Sequence, residues 1–149
     1  MFQEIGDVRL YGATLVALAR SALALGDAKR ARFVIEGEVL PIMRQTGDRW
    51  NLSSALCVLS SAMLDQGDLG PAERVATKSL SIRRAIQDRH ALAESLAELA
   101  FVAWRQPNET RARTLFAESL VIRRAIGDQA GIAECERGLT ALASADGVA

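Results

Sequence analysis

Histidine occurs once in this chain of 149 residues, cysteine twice and proline three times, and each shortage removes a class of chemistry. A single imidazole, His90, leaves little material for acid/base work or a metal site. No nucleophile, base and orienting residue stand at a workable spacing, so no enzyme, metal or cofactor is expected. Cys57 and Cys135 form no CxxC or Cys/His cluster, which argues against a disulfide framework and against structural zinc, and suits a reducing cytoplasm. No sign of charge dominates either: eighteen basic residues face eighteen acidic ones, so no overall field draws the chain to nucleic acid or to an anionic membrane. No apolar run approaches the roughly twenty residues of a membrane span, and "MFQEIGDVRL" carries acidic residues where a signal peptide needs basic ones. A soluble cytoplasmic chain whose partner is a protein or peptide is the expectation. Half the residues are hydrophobic, enough for one domain with a real core.

What the chain does have is repetition. "SLSIRRAIQDRHALAESLAEL" from Ser79 and "SLVIRRAIGDQAGIAECERGL" from Ser119 align without a gap over twenty-one positions, eleven of them identical. The period of forty extends further. Gly47-Asp48, Gln87-Asp88 and Gly127-Asp128 fall forty apart, with Gly6-Asp7 forty-one upstream; Gly26-Asp27, Gly67-Asp68 and Pro107-Asn108 form an interleaved series. Fixed periods of this size mark stacked repeat architectures. Glycine suits the position after a helix, and Asp or Asn beside it caps the next one. Between the breaks, Leu52, Leu56, Leu59 and Met63, and again Leu92, Leu96, Leu99 and Ala103, recur at steps of four, three and four, a single helical face. No segment alternates at period two.

The reading is all-α, with seven helices over about 8–25, 28–45, 49–66, 69–86, 89–106, 109–126 and 129–144, alternating as A and B helices in one domain over 1–149. The repeats span about 8–48, 49–88 and 89–128, followed by a capping helix over 129–144 and a tail over 145–149. Ala19, Ser60 and Ala100 on A helices, and Ala31, Ala72 and Ala112 on B helices, are small enough to let paired helices approach closely. Pro71 falls in a first helical turn and Pro107 in a break, where both are tolerated. Pro41 lies inside a helix, in the one repeat with an extra residue, and predicts a kink or bulge there.

The slots Leu56-x2-Leu59-Ser60-x2-Met63 with Ala72-x3-Ala76, and Leu96-x2-Leu99-Ala100-x2-Ala103 with Ala112-x3-Phe116, resemble the tetratricopeptide repeat (TPR). The large, small, large order is kept, most aromatics are lost, and Arg84 and Arg124 stand where the terminal proline would be. With its period of forty and the "SLVIRRAIGDQAGIA" type of join, the chain resembles the C-terminal repeat regions of MalT-like and AfsR-like bacterial regulators. The resemblance implies a right-handed helical-hairpin solenoid and a non-catalytic protein-binding or regulatory role within a larger protein. No glycine-rich phosphate loop and no helix-turn-helix reader is present, so the ATPase and DNA-binding functions of such regulators do not carry over.

A solenoid curves and leaves one face of its A helices for a ligand. That face holds Arg20, then Ser61 and Asp65, then Glu94, Glu98, Phe101 and Arg105, with Arg137 on the last helix. These are mixed charges around one aromatic, and a merely solvated face is the alternative. A small-ligand sensor using the same groove is another. The Lys and Asn cluster with which some TPR proteins grip a C-terminal carboxylate is absent. The pairs Arg83-Arg84 and Arg123-Arg124 sit in last helical turns, where cations offset the macrodipole, and read as structural; Asp88, Glu118 and Asp128 interrupt any basic stripe that nucleic acid would need. His90, Cys57 and Cys135 read as surface or packing residues.

The two ends differ. "MFQEIGD" resembles the tail of a B helix, as though an upstream portion were missing. The first helix, with Leu10, Val16, Leu18, Leu23 and Leu25 among alanines, is apolar almost all round, as buried helices are. The last has a stripe of Ile132, Cys135, Leu139 and Leu142 opposite Glu134, Glu136 and Arg137. These features predict either contact of the first helix with missing N-terminal repeats or self-association through it as a twofold homodimer, with Val16 and Leu23 in the contact; a module that chiefly drives such self-association is the alternative to a ligand-binding one.

Overall fold

The computed structural model describes residues 2–147, with side chains over 6–145. Seven helices follow one another: α1 (Phe2–Ala24), α2 (28–46), α3 (Arg49–Asp65), α4 (Leu69–Ile86), α5 (Arg89–Arg105), α6 (Glu109–Ile126) and α7 (Gln129–Gly147), with no strand among the described residues. The protein is all-α. No helix among the described residues is long and apolar enough to cross a membrane.

Local chemistry sets the breaks. Gly26, Gly47, Gly67 and Gly127 take φ between 67° and 83°, the left-handed conformation that glycine adopts without a Cβ penalty. The next residue then opens the following helix. Asp27, Asp48, Asp88, Asn108 and Asp128 each accept, through the side-chain oxygen, the N–H three residues on, satisfying one of the donors that a helix start leaves unpaired. Pro71 lies in the first turn of α4, and Pro107 between α5 and α6.

Two expected boundaries move. Gly6-Asp7 is not a break, because α1 runs through it. A helical glycine costs only about 1 kcal/mol relative to alanine, which the continuous hydrogen-bond ladder outweighs. At the other end α7 continues to Gly147, taking up part of the expected tail; residues 148 and 149 lie outside the described residues.

Helix α2 is built of an α-helical stretch Ala28–Val34, a π-turn Ile35–Val39 and a second stretch Leu40–Thr46. In the π-turn the Leu40 N–H reaches back five residues to the Ile35 carbonyl. Such a turn is a one-residue insertion in an α-helix. The breaks at Gly26 and Gly47 are twenty-one residues apart whereas the later ones are twenty apart, so the extra residue of the repeat is housed here, just ahead of Pro41.

The chain groups into two compact units, dividing between Ile82 and Arg83 within α4. In the first, α1 packs on α2 and α3, and α2 packs on α3. Helix α3 is buried nearly all round, from Ser53 to Leu64, a wider contact than the single face its leucine spacing suggests. The Ser60 hydroxyl donates to the Ala72 carbonyl at 3.1 Å and that of Ser79 to the Ser53 carbonyl at 2.9 Å. In the second unit α6 packs on both α5 and α7, and the Ser119 hydroxyl donates to the Ala93 carbonyl at 2.7 Å. The small residues at equivalent places, Ala19, Ala31, Ser60, Ala72, Ala100 and Ala112, are all at 0% exposure, and Leu59 and Leu99 are both at 3%.

Gln87 occupies the place of Gly47 and Gly127 and takes their conformation, with φ 64°. A residue with a Cβ is strained there by about 1 kcal/mol. Gln87→Gly is therefore expected to stabilise the protein by about 1 kcal/mol, read as a higher denaturation midpoint at unchanged helicity. An unchanged or lower midpoint would contradict this account of the turn.

Candidate functional site

The residues proposed for a binding face fall in both units. In the first, Arg20 on α1 and Asp65 on α3 are exposed and Ser61 is half-buried. In the second, Arg105 on α5 and Arg137 on α7 are exposed, whereas Glu94, Glu98 and Phe101 are half-buried. Glu94 and Phe101 have work within the unit. Glu94 receives a hydrogen bond from Arg83 at 3.3 Å. The Phe101 ring meets Phe116 edge-on at 5.0 Å and lies beside Trp104 at 6.5 Å. Phe116 is fully buried, and a Cβ on Gly138 would come within 2.7 Å of its ring, so α7 approaches the cluster through a residue with no side chain. Aromatic groups in this geometry stabilise each other beyond their buried area.

An open recess of about 440 Å³ lies along α7, lined by Ala133, Glu136, Arg137, Thr140 and Ala141. Its two alanines are half-buried and Glu136, Arg137 and Thr140 are exposed; Arg137 is one of the residues expected from the sequence on a binding face. Among the described residues no group of His, Cys, Asp and Glu stands close enough to hold a metal ion.

The twin arginines divide their labour in a way that sequence reasoning misses. Arg84 and Arg124 lie on the surface, at 3.5 Å from Glu118 and 2.8 Å from Glu136. Exposed pairs of this kind contribute little. Arg83 and Arg123 are buried, at 2% and 4% exposure. Arg83 donates to the Ala91 carbonyl at 2.9 Å and to the Ser95 hydroxyl at 3.1 Å, as well as to Glu94. Arg123 pairs with Glu134 at 2.7 Å. The two settle differently for a local reason. A Cβ at Gly131 would overlap the Arg123 guanidinium, and where Gly131 stands forty residues earlier the chain has Ala91. Without that Cβ, Arg123 lies over the start of α7 and turns to the carboxylate.

Forty residues before Arg83 the same slot holds Met43, 2% exposed and close to Gly12 of α1. Eleven residues after the slot come Ser54, Glu94 and Glu134 respectively. A glutamate is present where the buried residue is charged and absent where it is apolar. This pairing is visible in the sequence once the three repeats are superposed. Searching only the next helical turn for a partner overlooks it, because the acceptors sit across a loop on the following helix.

In the first unit Arg32 plays a shallower version of this part, donating to Asp68 at 2.5 Å, Gln66 at 3.1 Å and Glu36 at 2.9 Å. Asp68 first, then Glu36, raise its pKa further above the ordinary arginine value. Cys135 is buried in the place of Ser95, its thiol 3.4 Å from the Ser119 hydroxyl, and Cys57 is half-buried. His90 is exposed, 3.7 Å from Asp128.

Within α1, Val16 is buried at 5% exposure by its own unit and Leu23 is half-buried. Val16 is thus taken up by the core and is not offered to a partner. A helix apolar on every side gives no sign, in sequence, of which side faces in. Among the described side chains, the large apolar residues that α1 exposes are Leu10, Tyr11 and Leu18, with Leu25 just beyond its end.

Arg83→Met removes the bonds from the buried guanidinium to Glu94, the Ala91 carbonyl and the Ser95 hydroxyl and is expected to cost about 2–4 kcal/mol. Arg84→Met should change stability by less than about 0.5 kcal/mol. Adding Glu94→Ser to Arg83→Met reproduces the pairing of Met43 with Ser54 and should restore at least half of the loss. Chemical denaturation of the four chains checks this, and equal effects at positions 83 and 84 would contradict it. Compared with models of known protein families and with curated proteins, the chain matches none.

Proposed function

We propose that this chain is a non-catalytic binding module: a right-handed helical-hairpin solenoid of the tetratricopeptide kind that takes a protein or peptide on one face of its A helices, within a larger bacterial regulatory protein in the cytoplasm. The observation that carries the reading is that residues forty apart do the same structural job. Ser79 and Ser119 bond to the carbonyls of residues 53 and 93, Arg83 and Arg123 fill the same buried slot, and Ala72 and Ala112 are both fully buried. A chain that repeats its packing at a fixed period builds a scaffold and leaves the variable, exposed positions to discriminate between ligands. Arg105 and Arg137 are such positions. They carry charge on long side chains beside half-buried apolar groups, which suits recognition of an acidic or mixed peptide by charge and surface complementarity. The non-catalytic reading rests on the lack, in sequence, of any nucleophile with its base.

Selection of a displayed random-peptide library on the purified chain should enrich a common motif. The charge reversals Arg105→Glu and Arg137→Glu should together weaken the selected peptide by tenfold or more, about 1.4 kcal/mol, at an unchanged melting temperature. Phe101 is left intact because its ring supports Phe116. A library that enriches nothing, or a peptide indifferent to both reversals, would overturn the proposal.

A further inference from the structure

Leu10, Thr14, Ala17, Leu18, Ser21 and Leu25 follow one another at steps of four, three, one, three and four, which places them on one face of α1 and the turn that ends it. All six are exposed, Leu10 at 68%, Leu18 at 45% and Leu25 at 87%. None is charged. The two hydroxyls on the face are already used: Thr14 donates to the Leu10 carbonyl at 2.9 Å and Ser21 to the Ala17 carbonyl at 3.1 Å. Covering this face therefore strands no donor and requires no counter-charge. The same face one period later, on α3, shows what such a surface is for. Ala55, Val58, Leu59 and Ala62, forty-one residues after Thr14, Ala17, Leu18 and Ser21, are buried at 0–4% exposure, and α3 packs on α1 and α2 in its unit. A helix face of this composition is one that this protein covers with another helix.

The spacing also states which helix fits. The steps read the same in both directions, and so does the chemistry: Leu10 answers Leu25, Thr14 answers Ser21, and small Ala17 answers large Leu18. Two helices related by a twofold axis and running antiparallel bring residue i of one opposite residue j of the other, with i and j exchanged in the partner. With the axis between residues 17 and 18, leucine meets leucine at both ends, hydroxyl meets hydroxyl inside them, and the alanine of each copy leaves room for the central leucine of the other. Small residues at a crossing permit the close interaxial distance that such packing needs.

We propose that the outer face of α1 is the contact of a homodimer in which α1 of one copy lies antiparallel on α1 of a second copy, with Leu18 next to the twofold axis and Leu10 opposite the partner copy's Leu25. One helix pair buries little area for a protein interface, so the dimer dissociates in the micromolar range and forms at about 100 µM.

Sedimentation equilibrium on the full chain should show a mass rising with concentration from 16.0 kDa toward twice that value. Leu18→Glu should raise the dissociation constant at least tenfold without altering the helical circular dichroism. The register is tested separately, in a Cys57→Ser chain, with a short bis-maleimide cross-linker. Leu18→Cys alone should give a covalent dimer. Leu10→Cys and Leu25→Cys should cross-link strongly when mixed and weakly when alone. A chain that stays monomeric up to hundreds of micromolar, a dimer indifferent to Leu18→Glu, or cross-links of residue 10 to residue 10 would each overturn the proposal. The cross-linking pattern decides the matter even if the glutamate variant fails to fold.

Discussion

The backbones of neighbouring helices stand close enough for a serine hydroxyl on one to reach a main-chain carbonyl of the other, and the rest of each unit is arranged around that approach. Ser60 and Ser79 do so in the first unit and Ser119 in the second. A helical carbonyl already accepts one bond from its own helix and has a second lone pair to offer. Only a short side chain at near-contact distance can use it without spreading the helices, so the crossings are lined with alanine and serine at 0–1% exposure. The scarcity of aromatic residues follows from this constraint, since a ring at such a crossing would force the helices apart. In the second unit the rings of Phe101, Trp104 and Phe116 collect in one cluster, and there the facing residue is Gly138.

How much of this could be read from the sequence depends on how local each signal is. The helix limits were legible because glycine in the left-handed conformation and an aspartate cap act within four residues. Even Gln87 and Pro107, which carry no such chemistry of their own, were identified by their place in the period. The same local rule misled at Gly6-Asp7, where the residues are right for a break and α1 continues through them. Here the sequence offers the option of a turn, and the helical hydrogen bonds decide. The fully buried alanines were legible because the repeats place small residues at matching positions, whereas Val16 was misplaced because α1 has no polar stripe to show which side is outside.

The twin arginines show the limit most clearly. Neighbouring residues on a helix point about 100° apart, so two identical letters meet opposite environments, one in the core and one in water. The inner arginine finds its acceptors eight to twelve residues on, across the loop. Its partner glutamate is invisible to a search at helical spacing and plain in a comparison of the three repeats. Buried ion pairs are weak evidence for stability, and their best-attested use is to fix register. An arginine slot followed by a helix with its glutamate eleven residues on favours one alignment of the two helices, and a slip of one residue would leave the buried arginine charge without its half-buried carboxylate.

The position of the π-turn accords with that role. One inserted residue rotates everything beyond it by about 100° relative to what precedes it. In α4 and α6 such a slip between the serine and the arginine would break two polar contacts at once, because Ser79 and Arg83, like Ser119 and Arg123, must face their acceptors four residues apart. In α2 the corresponding residues are Val39 and Met43, both buried and apolar. Apolar contacts are non-directional, and methionine adapts its shape to irregular space. The insertion at Ile35–Val39 therefore lies in the repeat whose helix end carries no directional bond to lose, and the fold absorbs the extra residue there as a π-turn while Met43 still fills its slot against Gly12.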